Sequence, residues 1–175
     1  MSQTSFSRGG SVLVLGGAGG VGSTAIQWLA YQGAARIVAT ASETKLDAVR
    51  ALGCEVIDYR RDDWSRELAG ANFDVVYDTV GDDNAAVRAT KVLREGGDYI
   101  TIAGGTGDTS EFGGKYKFQS FVTHPSGEDL SKVSRAVQDG GLTPLIFKEF
   151  AFEDIADAYS LCSQRVALGK IVVAV

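Results

Sequence analysis

Two short runs decide most of what this chain can fold into. Val12-Leu13-Val14-Leu15 and Phe73-Asp74-Val75-Val76-Tyr77-Asp78 carry apolar side chains at consecutive positions instead of every second one. A strand sends alternate side chains to opposite faces, so a run of this kind must be covered on both sides. Strands are expected at Ser11–Leu15, Arg36–Thr40, Glu55–Asp58, Phe73–Asp78, Tyr99–Ala103, Tyr116–Thr123, Thr143–Phe147 and Lys170–Val175. Helical spacing fills most of the gaps. Val21, Ala25, Ile26 and Leu29 make one stripe over Gly20–Tyr31, and Leu46, Val49 and Leu52 make another that stops at Gly53. A third comprises Ala85, Ala86, Ala89, Val92 and Leu93, ended by Gly96-Gly97, and Glu153–Val166 closes the series. Ser126 with Asp129 three residues on reads as a capping box opening Gly127–Asp139. Strand–helix alternation at this spacing predicts an α/β fold with a doubly wound parallel sheet and right-handed crossovers.

A length of 175 residues suits one domain. We place it at 11–175, after a flexible segment at 1–10 and with a surface loop over Gly104–Lys115. The chain carries 17 basic and 22 acidic residues, a net charge of −5, and no Lys/Arg block, which argues against a nucleic-acid partner. No apolar run approaches the roughly 18 residues of a membrane span, and the first ten residues lack the apolar core of a secretory signal. Two distant cysteines, Cys54 and Cys162, and a single histidine, His124, match no zinc-ligand spacing and no Ser–His–Asp order. Unpaired cysteines read as small buried hydrophobes in a reduced, cytoplasmic setting, with an organelle as the alternative.

Chemistry enters at Gly16-Gly17-Ala18-Gly19-Gly20-Val21-Gly22. Gly17, Gly19 and Gly22 satisfy GxGxxG, directly after a strand and opening a helix. In that setting Gly17 permits the tight turn, Gly19 lets a pyrophosphate approach the backbone, and Gly22 lets the helix lie close on the strand. Free amides at the helix start, on the positive end of its dipole, then face the phosphates. The expectation is a Rossmann-type dinucleotide site on Gly17, Ala18, Gly19, Gly20, Val21 and Gly22. A Gly-rich turn with no ligand is the bland alternative. Other phosphate loops fail on residue type. Ser23 stands where a Walker A loop needs Lys, no tyrosine is followed four residues later by Lys as short-chain dehydrogenases require, and Val21 breaks GxGxG.

The second strand ends Ile37-Val38-Ala39-Thr40-Ala41-Ser42, without the carboxylate that holds the ribose diol of NAD. Ser42 can cap the next helix and donate a hydroxyl, and Lys45 lies one turn on, so NADP(H) is expected over NAD(H). An ordinary N-cap and a solvated lysine remain open for this pair. Glu43 is an adverse charge unless it turns outward.

Taken together, LGGAGGVG, ATASETKLDAVRALGCEVIDYR, FDVVYDTVG, LREGGDYITIAG and ALGKIVVAV resemble the cofactor-binding half of zinc-free medium-chain dehydrogenase/reductases of the quinone oxidoreductase branch. The resemblance runs from Ser11 to Val175. It implies a 2′-phosphate trio at Ser42, Lys45 and Tyr59, with Thr79 and Val80 near the nicotinamide-side ribose and backbone of Ala103 and Gly104 near the nicotinamide. It also implies hydride transfer from NADPH to a quinone or an α,β-unsaturated carbonyl. Family members carry a further N-terminal, barrel-like domain that this chain lacks, and 143–175 would pack partly against it. Left alone, that tail exposes apolar surface, which implies self-association or a partner chain. Tyr77, Asp78 and His124 are the imaginable proton donors, and none is assigned as catalytic. A nucleotide-binding subunit without turnover is the alternative to an enzyme.

Overall fold

The computed structural model describes residues 6–82, 84–104, 113–122 and 124–175. Six strands form one parallel sheet: β1 (Ser11–Leu15), β2 (Arg36–Ala41), β3 (Glu55–Asp58), β4 (Phe73–Asp78), β5 (Leu93–Thr101) and β6 (Lys117–Ser120). Their spatial order is β3-β2-β1-β4-β5-β6, so chain direction across the sheet reverses between β1 and β4. That reversal leaves a crevice at the carboxyl ends of the strands. The crossovers carry α1 (Gly20–Tyr31), α2 (Leu46–Arg50), α3 (Trp64–Glu67) and α4 (Ala85–Ala89).

Consecutive apolar residues in the strands do face opposite ways. Leu13, Leu15, Val38 and Val76 join Trp64, Leu68, Ala86 and Ala89 in a cluster on the α3/α4 side. Val12, Val14, Ile37, Ala39 and Val75 join Ile26 and Leu29 of α1 and Val49 of α2 on the other. Leu13, Val14, Val76, Ile26 and Ala89 are all completely buried. Each fully buried aliphatic side chain contributes roughly 1.5–3 kcal/mol, and neither face could be exposed without losing several.

After β6 the chain forms α5 (Gly127–Gln138), opened by Ser126, whose Oγ accepts from the Asp129 amide at 3.1 Å. Then come β7 (Ile146–Ala151), α6 (Ile155–Ser163) and β8 (Lys170–Ala174). β7 and β8 pair in parallel with each other, apart from the main sheet. Ile146, Phe147, Phe152 and Tyr159 are exposed on this unit, the apolar surface expected of the tail.

Three local expectations need correction. Val92 and Leu93 do not end a helix: α4 stops at Ala89, and β5 already starts at Leu93 with Gly96-Gly97 inside it. Strand seven lies at Ile146–Ala151 rather than 143–147, and the last helix is shorter than expected, preceded by a 3-10 turn at Phe152–Asp154. The short helix α3 escaped the sequence pattern; Asp63 caps it, accepting from the Ser65 amide at 3.0 Å. Expectations falling on 1–5, 83, 105–112 and 123 lie outside the described residues. At the start of the described chain, the Gly9 amide donates to the Gly33 carbonyl at 2.8 Å and Phe6 packs against the α1-side cluster.

Candidate functional site

A cleft of about 380 Å³ opens over the switch point. Its floor is the end of β1 and the glycine turn (Leu15, Gly16, Ala18, Gly19), and one wall is the end of β2 (Thr40, Ala41, Ser42) with Tyr59. The rest of the lining is Trp64, Val80, Asp82 and Arg88.

The glycines act by three different physical routes. The left-handed backbone needed for the turn falls on Gly16, at φ +85°, and not on Gly17. A Cβ on Gly17 would lie 2.7 Å from that of Ala39 and 3.0 Å from Ile26 Cδ1, so its role is to let β1, β2 and α1 converge. A Cβ on Gly22 would stand 2.2 Å from the Gly16 oxygen, which is the close helix–strand contact expected there. A Cβ on Gly19 would meet only the Gly16 oxygen, at 3.6 Å, so the fold itself leaves that position room. The first-turn amides of α1 have no acceptor within the helix, and that turn carries no acidic residue. The arrangement is open to an anion.

Ser42 is buried beside the cleft and occupies the N-cap position of the following 3-10 turn, yet its side chain makes no capping hydrogen bond there. The expected cap is therefore not formed, and the hydroxyl is not committed to it. Glu43 is exposed, as an outward carboxylate should be. Lys45 is placed differently from Ser42 and Tyr59. Its Nζ donates to the carbonyls of Ala167 at 2.9 Å and Arg165 at 3.3 Å, and it does not line the cleft. Burial, with the nearby Arg60 charge, holds its pKa below the usual lysine range. The same C-terminal segment reaches the glycine turn: the Gly169 amide donates to the Ala18 carbonyl at 2.9 Å, Gly169 bridges Gly19, and the Lys170 stem lies over Gly20.

At the end of β4, the Thr79 hydroxyl donates to the Leu15 carbonyl at 2.7 Å, joining β4 to the strand that starts the glycine turn. Val80 is exposed into the cleft. Ala103 and Gly104 do not line it; they are exposed and stand beside Gly81, where an added Cβ would meet Ala103 Cβ at 2.8 Å. Asp78 is completely buried and accepts from the amides of Val80 and Gly81 and from the Tyr99 hydroxyl at 2.5 Å. Burial and Asp78 push the Tyr99 phenol far above its usual range, so the proton stays on tyrosine. Asp78 is thus committed to shaping the turn. Tyr77 lines a separate apolar groove with Val21 and Trp28 of α1 and Val133 of α5, and His124 is exposed. None of the three imagined proton donors lines the cleft. Sequence reasoning missed Trp64, Asp82 and Arg88, because only the folded sheet brings α3 and α4 to one end of the crevice.

Among the described residues no helix is long and apolar enough to cross a membrane. The chain matches the family model described as "Zinc-binding dehydrogenase" over residues 52–173. The described residues assemble no site for that metal. Cys54 and Cys162 are both free, and among the described residues no group of three or more His, Cys, Asp or Glu could hold an ion. It is 37% identical over 177 residues to a 2-methylene-furan-3-one reductase of Solanum lycopersicum, covering 99% of this chain and 42% of that protein. It is 38% identical to a chloroplastic NADPH-dependent alkenal/one oxidoreductase of Arabidopsis thaliana, covering 98% of this chain and 42% of that protein. The structure superposes on the quinone oxidoreductase of Coxiella burnetii with a TM-score of 0.88 at 26% identity, over 99% of this chain and 55% of the other. The chain thus spans about half the length of these relatives. It belongs to the medium-chain dehydrogenase/reductase superfamily, as a cofactor-binding domain of the quinone oxidoreductase and alkenal reductase-like group.

Proposed function

We propose that this chain binds NADP(H) and serves as the coenzyme half of a reductase acting on a quinone or an α,β-unsaturated carbonyl. The observation that carries the coenzyme choice is Ser42. At the end of β2, where an NAD site places a carboxylate, a buried serine with no capping bond lines the cleft. The phosphates would lie on Gly17–Gly22 against the amides that open α1, and Ser42 and Tyr59 would hold the 2′-phosphate. Lys45 reaches that group only by leaving the carbonyls of Arg165 and Ala167, so it acts first as a support for the wall. Thr79 and Val80 would face the nicotinamide-side ribose, and the backbone of Ala103 and Gly104 the nicotinamide. Bound NADPH supplies the hydride, while the protein orients the ring and excludes water. The exposed apolar side chains of β7, the turn after it and α6 support a second body covering this side, either further sequence of the same protein or a partner chain.

Thermal melts test the coenzyme choice. NADPH at 100 times its dissociation constant adds about 2.7 kcal/mol, which raises the Tm of a domain this size by roughly 5–11 °C. NADH at the same concentration should do distinctly less. Equal shifts would remove the preference, and no shift with either would remove the dinucleotide site. Oxidation of NADPH by a model quinone with this chain alone separates an enzyme from a binding subunit without turnover.

A further inference from the structure

The part of the cleft lining contributed by α3 and α4 is built unlike the rest. Arg88 of α4 lays its guanidinium over the ring of Trp64 in α3, with Cζ 4.5 Å from the ring centroid. Its Nη2 donates to Asp63 Oδ1 at 2.7 Å and its Nη1 to Asp82 Oδ2 at 3.2 Å. Asp63 is itself fixed, since the same oxygen accepts from the Ser65 amide and hydroxyl. Trp64 is almost entirely buried, whereas Arg88 keeps about a quarter of its side chain exposed, and both line the cleft.

Arg88 and Arg66, whose Nε lies 3.5 Å from Asp63 Oδ2, balance the two carboxylates, so this part of the cleft has no surplus positive charge to draw a phosphate. What it presents is a flat guanidinium whose Nη1 and Nη2 are each tied to a carboxylate and one face of which lies over an indole. A surface of that kind takes a planar aromatic base by stacking. Connectivity of the ligand agrees, because the base of a 2′-phosphorylated nucleotide hangs from the ribose that carries the 2′-phosphate. Trp64 and Arg88 lie in one cleft with Ser42 and Tyr59, the residues that would hold that phosphate. We infer that Arg88, seated on Trp64 and held by Asp63 and Asp82, is the wall against which the purine base of the dinucleotide stacks. The inference rests on the dinucleotide reading above and adds the group that selects the base.

The test uses 2′,5′-ADP, which carries the base and the 2′-phosphate without nicotinamide, titrated into the full chain by calorimetry and by tryptophan emission. Arg88→Lys keeps a cation between the two aspartates and removes only the plane, so it should stay folded while binding about five- to thirtyfold more weakly. Arg88→Ala should lose at least as much. The ligand should quench emission in the unmutated chain, and Trp64→Phe, which leaves Trp28 as reporter, should abolish most of that quench. If the unmutated chain binds 2′,5′-ADP and Arg88→Lys binds it equally well, or if binding leaves Trp64 emission unchanged, the stacking wall is wrong and the dinucleotide site survives. If the unmutated chain binds neither 2′,5′-ADP nor NADPH, the dinucleotide reading fails and takes this inference with it.

Discussion

Gly19 and Gly22 lie three residues apart in one turn, and alanine at each should fail in opposite ways. At Gly22 the new Cβ would stand 2.2 Å from the Gly16 oxygen, 2.8 Å from its carbonyl carbon and 2.9 Å from Gly17 Cα, where ordinary contact begins at 3.4 Å. All three obstacles are backbone, so relief requires the start of α1 to lift by about an ångström off a close-packed sheet. Overpacking costs about 1–3 kcal/mol where side chains can yield, and we place this rigid case at about 3 kcal/mol or more. Alanine's better helix propensity returns only about 1 kcal/mol. Gly22→Ala should therefore melt roughly 4 °C or more below the unmutated chain. At Gly19 the backbone is extended, φ −74° and ψ 167°, which alanine adopts freely, and the only neighbour is at 3.6 Å. Gly19→Ala should match or exceed the unmutated Tm by roughly 1–4 °C, since a compatible Gly→Ala change stabilises by about 0.4–1 kcal/mol. Its Cβ would nevertheless hold a diphosphate off the α1 amides, so the Tm rise on adding NADPH should vanish. Differential scanning fluorimetry of the three proteins, each with and without NADPH, gives the answer. A Gly19→Ala protein that keeps the full NADPH shift would refute the path drawn for the phosphates; a Gly22→Ala protein as stable as the parent would refute the packing argument.

Two further outcomes concern pH. Burial, with the Glu55 charge beside it, pushes the Cys54 thiol up to about 11, and its Sγ donates to the Val49 carbonyl at 3.4 Å. At pH 8–9 iodoacetamide should therefore label the exposed Cys162 many times faster than Cys54; comparable rates by peptide mass mapping would contradict the burial. The Arg88 bond, then those from Ser65, hold the Asp63 carboxyl down to about 2. A depressed carboxyl stabilises the fold above its ordinary pKa near 4 and loses that contribution as pH falls through the folded value. The Tm gap between the parent and Asp63→Asn should hold from pH 7 to about 4 and close only toward pH 2. A gap that is flat down to pH 2, or already closed at pH 4, would speak against the ion pair.

The main sheet was legible because its strands announce themselves locally. Val12–Leu15 and Phe73–Asp78 show two apolar faces without reference to the rest of the chain, and their observed bounds match. Leu93 misled because it continues the stripe of Ala85, Ala86, Ala89 and Val92, and Gly96-Gly97 looks like a helix stop. In the folded chain Gly97 serves close approach instead: a Cβ there would lie 2.9 Å from the Arg94 oxygen and 3.1 Å from that of Asp74, beside the point where the register between β4 and β5 shifts. Helix α3, four residues long, is too short to show a period. That β7 pairs with β8 alone depends on partners far apart in sequence, which no local pattern specifies. The glycine turn could be found from spacing, but the assignment of turn to Gly16 and of packing to Gly17 needed coordinates. Arg88 was invisible for the same reason, since its partners Asp63 and Trp64 lie more than twenty residues upstream.

The last strand begins where the glycine turn ends. Gly169 hangs from the Ala18 carbonyl, and Lys45 grips two carbonyls just before it. Whatever clasps β8 from outside is therefore in mechanical touch with the loop that would cradle a diphosphate, through a hinge only a few atoms long. Thermodynamic reciprocity then applies: if docking on the tail tightens or slackens that loop, coenzyme must shift the strength of docking by the same factor.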